Sequence, residues 1–175
     1  MIRPRNEDDL PCLVDALRMV ATADGYPTRW PDDPCAWLRS RQVLGAWVAE
    51  RAGELMGHVV LRGGDDDAPV TMWCAETGDE PSACGVVVRL FVAPHARGLG
   101  VGRVLLGAAC DEAVSRGLDP VLEVADQDTL AVRLYQHLGW RLLGSHQKQF
   151  SDHRGLELLH CYAAPADVSA GTSSA

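Results

Sequence analysis

The stretch that decides the fold runs from Val88 to Arg103 and reads VRLFVAPHARGLGVGR. It opens inside an apolar run from Gly85 to Val92 that only Arg89 interrupts, and such a run predicts a buried strand. Pro94 ends the strand, and a basic, glycine-rich turn then leads into a helix predicted from about Leu99 to Arg116. A strand, a tight turn and a helix in this order present backbone N–H groups at a helix start, where anions bind.

The turn from residue 97 to 103 has the chemistry of a diphosphate site. The first N–H groups of a helix have no acceptor inside it, and the helix dipole adds partial positive charge there. Glycines at positions 98, 100 and 102 let a ligand approach the bare backbone, while Arg97 and Arg103 add positive charge. The turn lacks the Gly-Lys-Ser/Thr of a Walker loop, and the chain lacks the repeated βαβ scheme of a Rossmann fold. On this pattern alone, a glycine-rich helix start without a ligand is the alternative.

Outward from the turn, hydrophobic periodicity and Gly/Pro breaks predict elements along the whole chain. The predicted strands are 2–4, 45–50, 54–61, 85–92, 121–125, 140–146 and 156–162, and the predicted helices are 9–21, 34–39, 99–116 and 128–138. Residues 62–84 are rich in Gly, Asp and Pro, which predicts a loop. The order β-α-α-β-β-β-α-β-α-β-β predicts an α/β domain with a mixed sheet. We place this domain at residues 1–163 and expect a disordered tail at 164–175.

Composition and charge narrow the classes of function. The chain has 175 residues and a net charge of −8, which argues against general binding to nucleic acid or an anionic membrane and favours cationic substrates such as amines. No apolar stretch reaches the roughly 18 residues of a membrane helix, and no apolar signal-peptide core follows Met1. We therefore expect a cytoplasmic protein, and its Arg, Ala and Gly content indicates a GC-rich bacterial source.

The cysteines and histidines indicate no metal centre. Six residues of each type are scattered along the chain without the spacing of a ligand cluster, so the sequence predicts no metal. We expect reduced thiols, most of them buried, because a cytosolic protein rarely keeps a disulfide. Cys74 and Cys84 share one predicted loop and could pair only under oxidation.

The turn resembles that of the GCN5-related N-acetyltransferase superfamily. The matching residues are Arg97, Gly98, Leu99, Gly100, Val101 and Gly102, followed by Arg103. In that family the fold is a mixed, mostly antiparallel central sheet flanked by helices, and this turn binds the pyrophosphate of coenzyme A. The resemblance also implies that the strand carrying Leu90, Phe91 and Val92 binds the pantetheine arm through its backbone groups.

A second stretch, from Leu122 to Trp140, is similar to the family's other signature, a strand followed by Asn-x-x-Ala-x-x-Leu-Tyr-x-x-x-Gly-Phe. Ala131, Leu134, Tyr135 and Gly139 match it, Trp140 replaces the usual Phe, and Asp128 stands where the family often has Asn for a coenzyme A contact. Asp still caps a helix well. The resemblance implies that Tyr135 lies near the coenzyme A sulfur and acts as general acid.

Glu123 is the best candidate for the general base, because it stands twelve residues before Tyr135, as in members that acetylate protein N-termini. Strand alternation offers a second interpretation, in which Glu123 only faces solvent. Other candidates for a base or for substrate contact are Glu50, His58, His95 and Asp126.

The acceptor site should come from the variable parts of the chain. Tyr26 and Trp30 lie in a segment whose aromatic and acidic residues would suit a cation, and Arg89 flanks the cofactor strand. A loop packed over the sheet is the alternative for that segment, and an ion pair or structural role is the alternative for Arg89.

The resemblance implies an N-acetyltransferase that moves an acetyl group from acetyl-CoA, its co-substrate, to a primary amine of a small molecule or to a protein or peptide N-terminus. Three other interpretations stay open on sequence: a non-catalytic acyl-CoA-binding module, an acyltransferase with a longer acyl-CoA, and a phosphate-binding regulatory domain. The family resemblance is compatible with a monomer or a homodimer.

Overall fold

The computed structural model describes residues 1–149 and 155–165. The strands are β1 Ile2–Pro4, β2 Val43–Arg51, β3 Glu54–Gly63, β4 Cys84–Val92, β5 Asp119–Ala125, β6 Arg141–Gln149 and β7 Leu156–Ala163. The helices are α1 Leu10–Asp24, α2 Pro34–Arg39, α3 Ala68–Thr77, α4 Val101–Ser115 and α5 Thr129–His137. Most predicted elements are present with ends shifted by one to three residues. The predicted tail lies outside the described residues from position 166 onward.

The seven strands form one sheet in the order β1-β2-β3-β4-β5-β7-β6. Strand β2 pairs antiparallel with β1 and β3, and β7 pairs antiparallel with β5 and β6. The mostly antiparallel sheet flanked by helices confirms the predicted fold class.

The chain divides into two compact units. The first unit holds residues 1–62 and 87–112, and the second holds residues 63–86 and the described residues from 113 onward. In the first unit, α1 turns one face inward, because Leu10, Leu13, Leu17 and Val20 recur at helical spacing. They pack with Ala16, Leu38, Val48 and Phe91 into one buried cluster.

The second unit is built around the strands β5, β7 and β6. Helix α3 packs against all three strands, and α5 packs against β5. The buried apolar residues of this unit include Trp73, Val121, Leu122, Tyr135, Trp140 and Tyr162.

One predicted loop was wrong, because residues 68–77 form helix α3. Its local signals were present in the sequence: Asp67 stands at the N-cap, Pro69 lies in the first turn, and Gly78 closes the helix in the left-handed conformation. The high Gly, Asp and Pro content of the flanking residues favours a loop and opposes these signals. Trp73, at 5% exposed, and Val70 are buried, so tertiary packing supports a helix that composition disfavours.

Gly57 in β3 lies too close to its neighbours to carry a side chain. A Cβ at this position would lie 2.7 Å from the Phe91 carbonyl oxygen and 2.9 Å from Leu105 Cδ1. We expect Gly57→Ala to destabilise the protein by about 1–3 kcal/mol, since backbone and core must shift. Urea denaturation measures this change, with Gly107→Ala as the control.

Gly107 lies inside α4, where a Cβ would meet no atom within 4 Å. Helix propensity alone then predicts that Gly107→Ala is neutral or stabilising by up to about 1 kcal/mol. If both variants lost the same free energy of unfolding, crowding at Gly57 would not explain the effect of Gly57→Ala.

Candidate active site

In the first unit, the glycine-rich turn links β4 to α4. Strand β4 ends at Val92, a short 3-10 turn covers Pro94–Ala96, and α4 begins at Val101. Gly98 and Gly100 have φ angles of 75° and 76°, a conformation that an L-residue adopts only with strain. Glycine is therefore required here by the backbone path into the helix.

The backbone of this turn is open on its outer side. The Val104 N–H donates to the Gly100 carbonyl at 3.2 Å, so the helical ladder starts there and the preceding N–H groups point outward. Gly98 and Gly100 are exposed, and a Cβ built at either one meets no atom within 4 Å. A ligand anion can therefore reach these N–H groups, where the helix dipole favours negative charge.

The two arginines of the turn have different surroundings. Arg97 forms a two-pronged ion pair with Asp24 at the end of α1, through Nη1 to Oδ1 at 2.9 Å and through Nη2 to Oδ2. Its Nε also lies 3.4 Å from the Val92 carbonyl oxygen. Arg97 thus links the end of α1 to the end of β4. Arg103, by contrast, is exposed in the first turn of α4.

Strand β4 carries an irregularity at Arg89, whose φ of 57° lies in the left-handed region. Such a residue interrupts the regular ladder in the way a β-bulge does. The three predicted pantetheine-binding residues follow it: Phe91 is buried in the core cluster, and Leu90 and Val92 are half-buried. After the strand, the Ala93 N–H donates to the Met56 carbonyl at 2.8 Å.

His58 is fully buried beside this irregularity. Arg5 Nη1 lies 3.2 Å from Nε2, which must accept because a guanidinium only donates. Nδ1 is then the protonated nitrogen, and it donates to the Arg89 carbonyl at 3.2 Å. Burial, with Arg5 and Arg89 nearby, lowers the pKa of His58 to about 3. Because both nitrogens are engaged inside the protein, this histidine is placed to hold the bulge, not to deprotonate an amine.

Tyr26 and Arg89, two of the three residues predicted to bind the acceptor amine, both contact Trp37. The Tyr26 and Trp37 rings meet edge to face with centroids 6.0 Å apart, and the Arg89 guanidinium lies 3.8 Å from the Trp37 ring centroid. Arg89 Nε also donates to the Trp37 carbonyl at 3.2 Å. Trp30 has a different neighbour, since the Arg18 guanidinium lies 5.5 Å from its ring centroid.

In the second unit, Glu123 has a histidine and a lysine as neighbours on its own face of the sheet. His146 Nε2 lies 2.6 Å from Glu123 Oε2, and Lys148 Nζ lies 4.0 Å from Oε1. Cys161 is the direct cross-strand partner of Glu123 and is fully buried. Burial, with the Glu123 charge as a smaller cause, raises the pKa of the Cys161 thiol to about 12.

Tyr135 projects toward the other face of these strands. Leu122 pairs with Tyr162, so both side chains point away from the face of Glu123. The Tyr135 ring contacts the Tyr162 ring at 6.1 Å and the Trp140 ring at 5.6 Å between centroids. At 5% exposed, Tyr135 is held in a buried aromatic cluster.

Asp128 is the N-cap of helix α5, as the sequence predicts. Its carboxylate accepts from the Ala131 N–H at 3.2 Å, which confirms the helix cap.

The other candidate bases each have a charged or polar partner. Glu50 accepts from Arg3 Nε at 2.7 Å, and His95 Nε2 lies 3.1 Å from Glu54 Oε1. His160 Nε2 lies 2.9 Å from Asp126 Oδ1.

Sequence reasoning missed Asp24 as the partner of Arg97, and His146 and Cys161 as neighbours of Glu123. Asp24 is 73 residues from Arg97 along the chain, and His146 is 23 residues from Glu123. No local pattern signals either contact. The register of the last hairpin against β5 would have revealed Cys161 and His146, because cross-strand partners share a face.

Comparisons with known proteins agree with this geometry. The model of the acetyltransferase (GNAT) family matches residues 13–140. A mycothiol acetyltransferase from Thermobispora bispora is 39% identical over 97 residues, which are 55% of this chain and 30% of that protein. One from Acidothermus cellulolyticus is 37% identical over 103 residues, 58% of this chain and 31% of that protein. The chain thus spans less than a third of the length of these curated relatives.

Solved structures share the fold. Ribosomal-protein-alanine N-acetyltransferase from Brucella melitensis has a TM-score of 0.70 at 21% identity, covering 93% of this chain and 98% of that one. The yncA protein of Salmonella typhimurium, solved with its cofactor acetyl-CoA, has a TM-score of 0.68 at 20% identity, covering 100% of this chain and 98% of that one.

None of the helices in the described part of the chain combines the length and the apolar character that a bilayer crossing needs. The family match extends from α1 to the residue before β6 and so includes both signature stretches. On this match, the chain belongs to the acetyltransferase (GNAT) family.

Proposed function

We propose that the protein transfers an acetyl group from acetyl-CoA to an amine. The observation that carries this proposal is the open glycine turn before α4, where Gly98 and Gly100 are exposed and the helix start offers unobstructed backbone donors. A coenzyme A pyrophosphate has the charge and the acceptor oxygens that such a helix start binds. Arg103 adds a positive charge at the same end of α4, while the ion pair of Arg97 with Asp24 holds the turn in place.

Acetyl transfer needs one group to accept a proton from the amine and another to protonate the departing thiolate. We assign the first task to Glu123, whose carboxylate accepts a hydrogen bond from His146 Nε2 at 2.6 Å and is oriented by it. We assign the second task to Tyr135, because its phenolic O–H can donate a proton to the departing sulfur. The two protons belong to different atoms, nitrogen and sulfur, so we assign them to two separate groups.

The acceptor we propose is a primary amine, either of a small molecule or at a peptide N-terminus. The net charge of −8 favours a cationic substrate over an anionic one. The names of the relatives span both kinds of acceptor, since one set is named for mycothiol and another for the alanine of a ribosomal protein. Tyr26 and Trp37 supply aromatic surface beside Arg89 in the first unit, and we propose that they contribute to acceptor binding.

The test is a thiol-release assay with acetyl-CoA against a panel of amines that includes small-molecule primary amines and peptides with free N-termini. We expect turnover with at least one amine and none without an acceptor. Acetyl-CoA binding by calorimetry with no turnover across the panel would favour a non-catalytic binding module. Faster turnover with succinyl-CoA than with acetyl-CoA would favour a longer acyl donor. If the protein bound neither acyl-CoA, the proposal would be wrong.

Gly100→Ala should weaken acetyl-CoA binding about tenfold. The alanine must adopt a φ of 76°, and its methyl group would stand over the N–H groups that bind the pyrophosphate. Calorimetric titration of acetyl-CoA measures the dissociation constant.

Gly78→Ala is the matched control, because Gly78 also has a positive φ, of 81°, with open space around it, but it ends helix α3. It should carry the same backbone strain and bind acetyl-CoA like the unmodified protein. An unchanged dissociation constant in Gly100→Ala would show that the turn is not the pyrophosphate site.

A further inference from the structure

A side-chain cluster on the last three strands has the composition of a metal site. Glu123 on β5, His146 on β6 and Cys161 on β7 each offer one ligand atom, and these atoms all lie within 4.8 Å of one another. The register explains the cluster: Glu123 pairs directly with Cys161, and His146 pairs with Leu159, which lies two residues from Cys161 and shares its face. The site thus depends on three strands whose order is defined by backbone hydrogen bonds.

The donor set is the one that zinc prefers. A thiolate sulfur, an imidazole nitrogen and a carboxylate oxygen are the three ligand types of zinc sites in proteins, and three protein ligands with a fourth open position are common. Zinc bonds of about 2.0–2.3 Å hold tetrahedral ligand atoms about 3.3–3.8 Å apart. Reaching that geometry from separations of at most 4.8 Å needs shifts of about 1 Å, which side-chain rotations supply without moving the strands.

We propose that Glu123, His146 and Cys161 bind a zinc-like divalent cation, with water as the fourth ligand. Cys161 lies fully buried at the base of the site, whereas the side chains of His146 and Glu123 are 28% and 26% exposed and leave a path from solvent. Without metal, His146 and Glu123 bond to each other at 2.6 Å. On binding, the Cys161 thiol loses its proton to solvent, and His146 shifts its ring proton to the nitrogen that does not face the cation. The carboxylate and the freed imidazole lone pair then face the cation.

Lys148 places a positive charge beside the site, with Nζ 4.0 Å from Glu123 Oε1. Its side chain is half exposed, so it can turn into solvent when a cation arrives.

The proposal differs from the sequence prediction of no metal. That prediction looked for ligands at short, fixed spacing, whereas ligands on three separate strands have no fixed spacing along the sequence. It does not rest on the proposed transferase activity, and a bound cation would occupy the Glu123 carboxylate that we propose as the general base.

The experiment is a cobalt(II) titration of the chelator-treated, reduced full-length chain without acetyl-CoA or amine. Cobalt is a spectroscopic substitute for zinc, and its thiolate complexes absorb in the near ultraviolet. We expect one equivalent to bind with a sulfur-to-cobalt charge-transfer band, and zinc to displace it. Cys161→Ser should abolish the band and weaken binding at least about tenfold, while Cys12→Ser, at an exposed cysteine on α1, should leave both unchanged.

A second variant tests the proposal independently if Cys161→Ser fails to fold. His146→Gln alters a partly exposed side chain and keeps the thiol, so it should fold and bind cobalt at least about tenfold more weakly. No stoichiometric binding by the unmodified chain, a charge-transfer band that Cys161→Ser retains, or an unchanged affinity in His146→Gln would each overturn the proposal.

Discussion

Tyr135→Phe is expected to lower kcat about 100-fold or more, with little change in the KM for acetyl-CoA. The substitution removes only the phenolic O–H that we propose protonates the departing coenzyme A thiolate, and general acids contribute about 10²–10⁴-fold to such steps. The phenylalanine ring keeps the contacts that Tyr135 makes with Trp140 and Tyr162. Steady-state kinetics by thiol release, with the best amine of the panel, measures the effect.

Tyr162→Phe is the matched control, because Tyr162 is buried in the same aromatic cluster and its ring lies 6.1 Å from that of Tyr135. It removes a hydroxyl from the cluster without touching the proposed acid, so kcat should stay within about threefold of the unmodified enzyme. Both variants should unfold in urea within about 1–2 kcal/mol of the unmodified protein. Equal kinetic losses in the two variants, or full activity in Tyr135→Phe, would remove Tyr135 from the mechanism.

Local patterns in the sequence predict most of the fold and the glycine-rich turn before α4. The spacing of Gly98 and Gly100 before a periodic helix, and the cap at Asp128, depend on neighbouring residues alone, so they can be recognised without knowing the rest of the fold. Helix α3 also had local signals, but they competed with the Gly and Asp of its flanks, and the burial of Trp73 decided the outcome.

Other features depend on pairing between distant segments. The pair of Glu123 with His146 requires the register of β5, β7 and β6, which no local pattern specifies. The pair of Arg97 with Asp24 requires α1 to end beside the turn, and the sequence suggested a ligand contact for the same arginine. The left-handed conformation of Arg89 also depends on a distant residue. Bulky residues rarely adopt a positive φ, and here a buried histidine 31 positions away donates a hydrogen bond to the Arg89 carbonyl.

That histidine makes stability sensitive to mild acid. The unfolded chain takes up a proton on His58 near pH 6.5, whereas the folded protein does so only near the lowered pKa of about 3. Between these values the unfolded state binds more protons, so the free energy of unfolding must fall as the pH falls. We expect a loss of about 2–3 kcal/mol between pH 6.5 and 4.5 from this group, measured by urea denaturation at a series of pH values.

His58→Gln should flatten this pH dependence, because glutamine can donate to the Arg89 carbonyl and accept from Arg5 but does not titrate. The variant can be less stable at pH 7.5, and the comparison is therefore made on the slope of stability against pH between 6.5 and 4.5. His137→Gln, at an exposed histidine in the last turn of α5, is the control and should keep the full slope. A steep slope that survives in His58→Gln would show that the bulge is held by something other than a buried, neutral imidazole.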